Sequence, residues 1–362
     1  MTDYFEVDFL DVEMKKSGDA IAIRYSQSEI ISIHVVDGGF QDTGGVVIEH
    51  IRKYYGNPKI IDRVIVTHPD QDHAGGLQTV LEHFQVRELW MLRPWLYAGE
   101  IIHRFENYES VENLARKLRE LYPTIATLEE IAARRRIPVG APFQGTELGA
   151  FTVLAPSKAR YLDLIVSSEK TPESTEQAAQ GRLDAGLKLL ERAAAKVAAF
   201  VKAAWGVEVF SPEETSAENE MSVVQFGNLC GERILLTGDA GRGTLTEAAD
   251  FASALGHQLP GIQRFQVPHH GSRRNVSTQV LDRWLGPKLR TQPAKGQGGF
   301  SAIVSAAKAD EGHPRKAVTR ALIHRGANVY TTKNGTIWSF RNAPSRGWGS
   351  AEASDYPDEQ EL

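Results

Sequence analysis

The sequence contains very little cysteine: Cys230 is the single one among 362 residues. A lone cysteine excludes an intramolecular disulfide and any zinc site built from several thiolates. The chain also lacks an excess of positive charge, since its formal net charge is −5. No global positive field would therefore draw it to nucleic acid or to a membrane surface.

Long hydrophobic runs are missing as well. No stretch of about 18 apolar residues occurs, so we expect no membrane span. The first segment, MTDYFEVDFLDVEMKK, is acidic and has no long apolar core, which argues against a signal peptide. We therefore expect a cytoplasmic protein. A composition of 41% hydrophobic and 24% charged residues is that of an ordinary globular chain.

Strand and helix patterns alternate along most of the chain, which predicts an α/β (α+β) fold. Runs rich in Val, Ile and aromatic residues predict early strands at 4–11, 20–25 and 30–37. Helical periodicity marks 107–121, and a helix is expected from Gly44 to Gly56. The closing run NVYTTKNGTIWSF is predicted to be a hairpin that turns at Asn334-Gly335.

Two segments differ from this pattern. Residues 157–218 contain a long Ala-, Lys- and Glu-rich stretch that predicts a helical insertion or lid, although an outer helix of the domain fits equally well. Residues 345–362 are polar and acidic and are predicted to form a disordered tail. Residues 1–344 then make up one domain.

The most informative stretch is VIVTHPDQDHAGG, residues 64–76. An apolar strand leads into His68, and Asp70, Asp72 and His73 follow at once. On an ordinary surface turn this density of carboxylates gains nothing, because like charges repel one another. A bound cation removes the repulsion, so the stretch predicts a metal site.

Three more apolar strands end in an Asp or a His. They are ILLTGD with Asp239, FQVPHHGS with His269 and His270, and AIVSAAKADEGHP with His313. Loops at strand ends converge in layered α/β folds. Imidazole and carboxylate ligands suit zinc, manganese or iron, and this set is too large for one ion. Two ions sharing a carboxylate would use it, and Asp239 is the natural bridge.

The motifs resemble a known family. THPDQDHAGG looks like the HxHxDH motif of the metallo-β-lactamase fold, with Asp70 where the second His usually stands. The order of HxDxDH, NEMSVV, LLTGDA, VPHHGS and GHP resembles the hydrolase domain of the DNA-uptake protein ComEC and its soluble relatives. The segments FLDVEMKKSGDAIAIRY and VVDGG resemble the opening of that domain. The resemblance covers about residues 4–156 and 219–340.

This resemblance implies a metallo-β-lactamase-like four-layer αββα sandwich that holds two divalent transition-metal ions, zinc or manganese, at one edge of its sheets. The resemblance implies that His68 and Asp70 bind the first ion. It implies that Asp72, His73 and His269 bind the second, and that the carboxylate of Asp239 bridges the two. Asp37 would orient a ligand imidazole. Many members have a separate His for the first ion, whereas the matching region ENEMS offers only Asn219 and Ser222.

The chemistry expected of such a centre is ester hydrolysis by a metal-bound hydroxide. We predict a phosphodiesterase or nuclease with a catalytic set of Asp72, His270 and His313, in which His313 protonates the leaving oxygen. Arg273 and Arg274 would bind the phosphate. Two alternatives stay open. One is a lactonase, esterase or β-lactam-type hydrolase of a small neutral substrate. The other is a metal-stabilised, non-catalytic partner subunit that binds a protein through residues 157–218.

Overall fold

The structure is a computed structural model that describes residues 2–12, 15–172 and 200–362. Its strands are β1 (Tyr4–Phe9), β2 (Ala20–Gln27), β3 (Ile30–Gly38), β4 (Ile60–Ile65), β5 (Gln85–Trp90), β6 (Val139–Gly140), β7 (Glu147–Leu148), β8 (Phe151–Ala155), β9 (Phe200–Lys202), β10 (Val224–Leu229), β11 (Glu232–Leu236), β12 (Arg264–Gln266), β13 (Phe300–Val304), β14 (Ala327–Thr331), β15 (Ile337–Arg341) and β16 (Glu359–Glu361).

The helices of the described part lie between these strands. They are α1 (Gly44–Tyr54), α2 (Gln71–Ala74), α3 (Leu77–His83), α4 (Ala98–Ile101), α5 (Val111–Leu121), α6 (Pro123–Arg135), α7 (Lys158–Ser167), α8 (Ala217–Glu220), α9 (Arg242–Ala254), α10 (Thr278–Leu285) and α11 (Lys316–His324). The predicted mixed α/β class is confirmed.

Within the described residues the strands form two seven-stranded sheets and one small pair. The first sheet has the order β15-β1-β2-β3-β4-β5-β6, and the second has the order β14-β13-β12-β11-β10-β8-β7. In the second sheet, neighbouring residues of one strand enter different cores. Ile234 and Leu236 join the core shared with the first sheet, whereas Leu235 joins the core under the outer helices. This alternation follows from the two-residue period of a strand, so the sheet is covered on both faces.

The site lies where parallel strands end. Strands β3 to β6 run parallel in the first sheet, and β11 to β14 run parallel in the second. The carboxyl ends of β3, β4, β11 and β12 lead directly into the segments with Asp37, His68, Asp239 and His269. Two sheets therefore deliver their strand-end loops to one edge of the molecule.

The predicted hairpin near Asn334-Gly335 was wrong. Strand β14 pairs with β13 in the second sheet, whereas β15 pairs antiparallel with β1 in the first. The connection therefore crosses from one sheet to the other. Thr332 fixes this crossing, because its hydroxyl accepts from the N–H of Ala306 at 2.9 Å and donates to the carbonyl of Ala306 at 3.1 Å.

Only the two ends of the expected insertion at 157–218 fall within the described residues, because 173–199 lie outside them. At the first end, α7 buries Tyr161, Ile165 and Val166 in the core of the domain. The second end contains β9 and α8. The described ends of this stretch are thus integral parts of the fold.

The tail is ordered, in contrast to the predicted disorder. Strand β16 pairs with β9, and Gln360 and Glu361 are buried. The carboxylate of Glu361 accepts from the N–H groups of Lys316 and Ala317, each at 3.0 Å, at the start of α11. A negative charge is favourable at a helix N-terminus. The acidic composition that indicated disorder therefore supplies the group that anchors the tail.

Within the described residues, no helix combines the length and the apolar character that a membrane crossing requires.

Candidate metal centre

The motif loop begins where β4 ends. Asp70 has extended backbone just before the single turn of α2, and its carbonyl accepts from the N–H of Ala74 at 2.9 Å. Asp72 and His73 lie on that turn. Gly76 is needed behind it, because a Cβ at this position would stand 2.0 Å from the carbonyl oxygen of Gly38. The two glycines of the motif thus let α2 approach the end of β3.

Asp37, at the end of β3, fixes the orientation of the motif imidazoles. Its Oδ2 lies 2.7 Å from Nδ1 of His73 and accepts from the hydroxyl of Thr67 at 2.6 Å. The same hydroxyl lies 3.0 Å from Nδ1 of His68. Because both Nδ1 atoms are engaged, both Nε2 atoms are left for the centre. Asp37 thus lies where the resemblance places a supporting carboxylate.

Asp239 arrives from the second sheet, just after β11. Its Oδ1 lies 3.2 Å from Nε2 of His73, and its Oδ2 lies 3.7 Å from Nε2 of both His68 and His269. Gly238 precedes it with a φ of +50°, and a Cβ there would stand 2.8 Å from the hydroxyl of Thr67. A glycine at this position is therefore what brings the two sheets' loops into contact.

The main chain of Asp239 is held from both sides. Its N–H donates to the hydroxyl of Ser222 at 3.1 Å, and its carbonyl accepts from the amide of Asn275 at 2.7 Å. Asn219 and Asn275 also flank His269, with Nδ2 and Oδ1 respectively 3.2 and 3.0 Å from its Nδ1. The ENEMS region thus contributes supporting polar groups.

His269 and His270 follow β12 with a strained backbone. Their φ values are +48° and +54°, a left-handed conformation that is costly for residues with a Cβ. Nδ1 of His270 lies 2.8 Å from the carbonyl of Ser305, and its Nε2 lies 3.6 Å from Oδ2 of Asp72. The strain brings two consecutive imidazoles to the same centre.

Two sets of side chains have ligand atoms within 4.8 Å of one another. We call them the His68 group (His68, His73 and Asp239) and the Asp72 group (Asp72, His73 and His270), and they share His73. The resemblance assigned His269 to the ion at Asp72 and His73. In the structure it is His270 that joins those two residues, because the turn after β12 directs the second imidazole toward α2.

The ligand atoms of this centre fit a cation. Nε2 of His68, His73 and His270 and Oδ1 of Asp239 are buried and have no hydrogen-bond partner within the described residues. Buried polar atoms without a partner are unfavourable, and the great majority find one. Divalent zinc or manganese accepts this set of imidazole and carboxylate donors. The centre is therefore suited to hold such ions.

The electrostatics point the same way. Burial would raise the pKa of Asp72, but the neighbouring imidazoles of His270 and His73 hold it at about 2. Burial would lower the pKa of His270, but the neighbouring carboxylates of Asp72, Asp239 and Asp19 raise it to about 9. Positive charge nearby stabilises the ionised carboxylates, and protons on the imidazoles or a metal ion can supply it.

Asp70 stands apart from both groups. Its Oδ1 accepts from the ammonium of Lys170 at 2.7 Å, and its Oδ2 lies 3.9 Å from Nε2 of His68. About a third of its side chain is exposed (31%), whereas the side chains of His68 and His73 are fully buried. The predicted first-ion pair of His68 and Asp70 is thus adjacent in space, but a lysine already occupies the carboxylate.

His313 lies next to the centre. Its ring centre is 6.2 Å from that of His269 and 6.3 Å from that of His270, and its Nδ1 lies 3.1 Å from Oδ2 of Asp310. Burial lowers the pKa of His313 more than the neighbouring Asp310 raises it. The neutral ring therefore places its proton on Nδ1, and its Nε2 is an acceptor.

The two arginines behind the HHG turn point to different places. The guanidinium of Arg273 donates to the carbonyl of Val209 at 3.4 Å and to that of Leu362 at 3.0 Å, so it holds the end of the chain. Arg274 pairs with Glu213 and lines a cleft beside the centre. The structure brings only Arg274 to a position open to a substrate.

Sequence reasoning missed Asp19. This residue is buried, its Oδ1 has no hydrogen-bond partner within the described residues, and its Oδ2 lies 3.9 Å from Nε2 of His73. Gln266 donates to that Oδ2 at 3.1 Å. Asp19 is the aspartate of the SGDA segment, which belongs to the stretch that resembles the opening of the ComEC hydrolase domain, so that resemblance could have indicated it. Lys170 and Asn275 were missed too, and nothing in their local sequence marks them.

A cleft of about 730 Å³ opens beside Asp70. Its lining is mostly charged and polar, and includes Arg160, Lys170, Glu220 and Arg274. Two of these cations already have partners there: Arg160 pairs with Glu220 at 2.9 Å, and Lys170 pairs with Asp70. The space next to the centre is thus polar and carries both signs of charge.

Comparisons with known proteins agree with this architecture. The family model described as the metallo-beta-lactamase superfamily matches residues 33–143, which include the 64–76 motif. A curated protein of Bacillus subtilis (strain 168), named "Probable metallo-hydrolase YflN", is 28% identical over 97 residues. Those residues make up 26% of this chain and 37% of that protein, so the match spans little more than a third of the relative.

Two solved structures show low similarity. The metallo-β-lactamase MIM-1 from Novosphingobium pentaromativorans aligns over 75% of this chain and 78% of its own, with 11% identity and a TM-score of 0.31. CmlA, a diiron beta-hydroxylase from Streptomyces venezuelae, aligns over 92% and 45%, with 11% identity and a TM-score of 0.32. Scores this low carry no argument about function.

The finer resemblance to the ComEC hydrolase domain is not reached by these comparisons and stays a prediction. The match over residues 33–143 and the two facing sheets support the metallo-β-lactamase superfamily fold for this chain.

Proposed function

We propose that this protein is a metal-dependent hydrolase of phosphodiesters, in nucleic acid or in smaller molecules, with divalent zinc or manganese as its cofactor. One observation carries the proposal. The His68 and Asp72 groups present buried nitrogen and oxygen atoms that have no hydrogen-bond partner in the described part of the chain. A fold keeps such atoms unpaired at a cost in stability, which ion binding offsets. The name of the Bacillus relative, a metallo-hydrolase, agrees with the proposal.

Ions held at these groups would polarise the scissile ester and lower the pKa of a water molecule. The chain's own residues supply the order around them. Asp37 and the carbonyl of Ser305 engage Nδ1 of His73 and His270, which leaves Nε2 of each ring facing the centre. Ser222 and Asn275 hold the main chain of Asp239. Their action is positional, because they fix the ligands before substrate arrives.

His313 is suited to move a proton. Asp310 engages its Nδ1, and Asp310 itself accepts from the hydroxyl of Ser17 at 2.6 Å. With a lowered pKa and an open Nε2, His313 is set to accept a proton from the attacking water. It can then deliver that proton to the leaving oxygen. His313 thus acts first as a proton acceptor, and only afterwards in the predicted role of proton donor.

The charged cleft supports a polar, anionic substrate. Two cations near the centre are paired with carboxylates that a phosphate could replace: Arg160 with Glu220 and Arg274 with Glu213. Guanidinium and ammonium groups bind phosphate well. A small neutral ester would gain little from this lining, which is why the lactonase or esterase alternative ranks second.

The test is a substrate screen on the purified chain. Metal-free protein is reloaded with Mn²⁺ or Zn²⁺ and assayed on bis-p-nitrophenyl phosphate, single-stranded DNA, RNA and p-nitrophenyl acetate. We expect turnover of a phosphodiester that chelator abolishes and that Asp239→Asn lacks.

Three results would count against the proposal. Turnover restricted to the neutral ester would favour the esterase alternative. Metal binding without any turnover would favour a non-catalytic partner subunit. A chain that binds neither ion would end the metal-centre interpretation altogether.

A further inference from the structure

The two ligand groups of the centre differ in one respect. In each group the three ligand atoms lie within 4.8 Å of one another. Asp70, which the sequence motif places beside the His68 group, has its carboxylate turned to Lys170 at 2.7 Å. The His68 group therefore has a carboxylate next to it that an ammonium already engages.

Lys170 is held in place by its own loop. After α7 ends, the N–H of Lys170 donates to the hydroxyl of Ser168 at 3.0 Å, and the hydroxyl of Thr171 donates to the carbonyl of Ile165 at 2.9 Å. Ser168 is buried and also bonds the carboxylate of Glu218. These hydrogen bonds fix the backbone of Lys170 close to the centre, so that its ammonium lies within reach of Asp70.

An ammonium at 2.7 Å from a carboxylate competes with any other cation for that carboxylate. A divalent ion next to His68 would have to displace Lys170 or remain beside its positive charge. Both cases weaken binding of that ion, because the ammonium and the ion carry like charges at short range; water screens this repulsion in part, since the side chain of Lys170 is 45% exposed. The Asp72 group has no lysine or arginine among its described ion-pair partners.

We propose that Lys170 serves as a built-in cation at Asp70, so that the protein binds one divalent ion tightly at the Asp72 group and a second ion only weakly at the His68 group. Lys170 supplies there one of the positive charges that a second ion would bring. This inference rests on the proposed metal-dependent function, but it concerns how many ions bind and how tightly.

The test is titration of the metal-free protein with Mn²⁺ or Zn²⁺ by calorimetry, with elemental analysis after dialysis. Wild type is expected to retain about one ion per chain and to bind a second at least tenfold more weakly. Lys170→Gln should bind the second ion about tenfold or more tightly than wild type does, and Lys170→Arg should behave as wild type. Lys158→Gln is the matched control, because Lys158 on α7 pairs with Glu100 at 2.8 Å and is equally exposed.

Circular dichroism shows whether Lys170→Gln keeps the fold, and a double-mutant cycle tests whether Lys170 acts through Asp70. In Asp70→Asn, the further change Lys170→Gln should no longer affect binding of the second ion, because the two effects are coupled. Two equally tight ions in wild type, or identical titrations of wild type and Lys170→Gln, would overturn the inference and leave the proposed function standing. A wild type that binds no ion would overturn the proposed function first.

Discussion

Two clusters of buried charge in this molecule are built in opposite ways. In the Glu208 cluster (Glu208, His324 and Arg325), every side-chain nitrogen and oxygen has a partner in the protein. Glu208 Oε1 lies 3.0 Å from Nδ1 of His324 and accepts from Arg325 at 2.6 Å. Its Oε2 accepts from the hydroxyl of Thr278 at 2.9 Å. The two ligand groups present similar side chains whose inward atoms are unpaired.

The difference shows what separates a structural charge from a functional one. Both clusters contain imidazoles and carboxylates withdrawn from water. In the Glu208 cluster the partners are internal, and the cluster holds α11 against the segment before α8. In the candidate metal centre several inward atoms have no hydrogen-bond partner among the described residues. Unpaired buried atoms also occur elsewhere, on His34 and Gln225 for example, so the candidate site is marked by unpaired ligand atoms that converge within 4.8 Å of one another.

The largest effect we expect is on stability, from breaking the Glu208 cluster. Glu208→Gln removes one of the two carboxylates that neutralise the buried guanidinium of Arg325 and leaves only Asp282, so the loss should approach the about 3–5 kcal/mol typical of breaking a buried pair. Urea unfolding followed by circular dichroism measures the loss. The metal content should not change. Glu213→Gln, which removes an exposed partner of Arg274, is the matched control and should alter stability by less than about 1 kcal/mol.

The second effect is on turnover. Asp239→Asn keeps the shape of the side chain but removes the charge between the two ligand groups, so kcat on a phosphodiester should fall by more than about a hundredfold. The unfolding free energy of the metal-free protein is measured alongside, because Oδ1 of Asp239 lies 3.2 Å from Nε2 of His73 and the substitution also removes that ion pair. Asp250→Asn, an exposed pair of Arg283, serves as control. A near-normal kcat in Asp239→Asn would mean that the LLTGD segment is only a structural turn without a role in turnover.

A third expectation concerns pH. Burial would raise the pKa of Glu208, but the hydrogen bonds from His324 and Arg325 and the charge of Arg325 lower it from 4.5 to about 2. A lowered pKa in the folded state means that the stabilisation is complete above pH 4.5. It is lost progressively as the pH falls from 4.5 toward about 2.

Urea unfolding at a pH above 4.5 and again at about pH 3 checks this expectation. The gap in stability between wild type and Glu208→Gln should narrow at the lower pH. A gap that stays constant would show that the ionised form of Glu208 is not what stabilises the cluster.

Much of the fold and the outline of the centre could be predicted because they depend on local pattern. Apolar runs placed the strands, and a cluster such as His68 to His73 is hard to explain without a cation. Which of His269 and His270 faces Asp72 could not be predicted, because it depends on two left-handed residues in one turn. The ordered tail and Lys170 depend on contacts between segments far apart in sequence, namely Glu361 with α11 and Lys170 with Asp70.

The smallest effect concerns the two arginines that were predicted to bind phosphate, and it tests whether the charged cleft is a substrate site. Arg274 is about half exposed (53%) and pairs with Glu213 at the cleft, whereas Arg273 donates to the carbonyl of Leu362. Arg274→Ala should change stability by less than about 1 kcal/mol, since exposed ion pairs contribute little. It should raise KM for a phosphodiester a few-fold with kcat unchanged, and it should weaken the salt dependence of kcat/KM on a nucleic acid.

Arg273→Ala should instead loosen the end of the chain and leave KM unchanged. Arg116→Ala, at an exposed pair on α5, controls for loss of surface charge. Equal kinetic effects of all three substitutions would mean that Arg274 has no specific role in substrate binding. A rise in KM caused by Arg273→Ala alone would indicate that the substrate binds near Arg273 and not in the cleft.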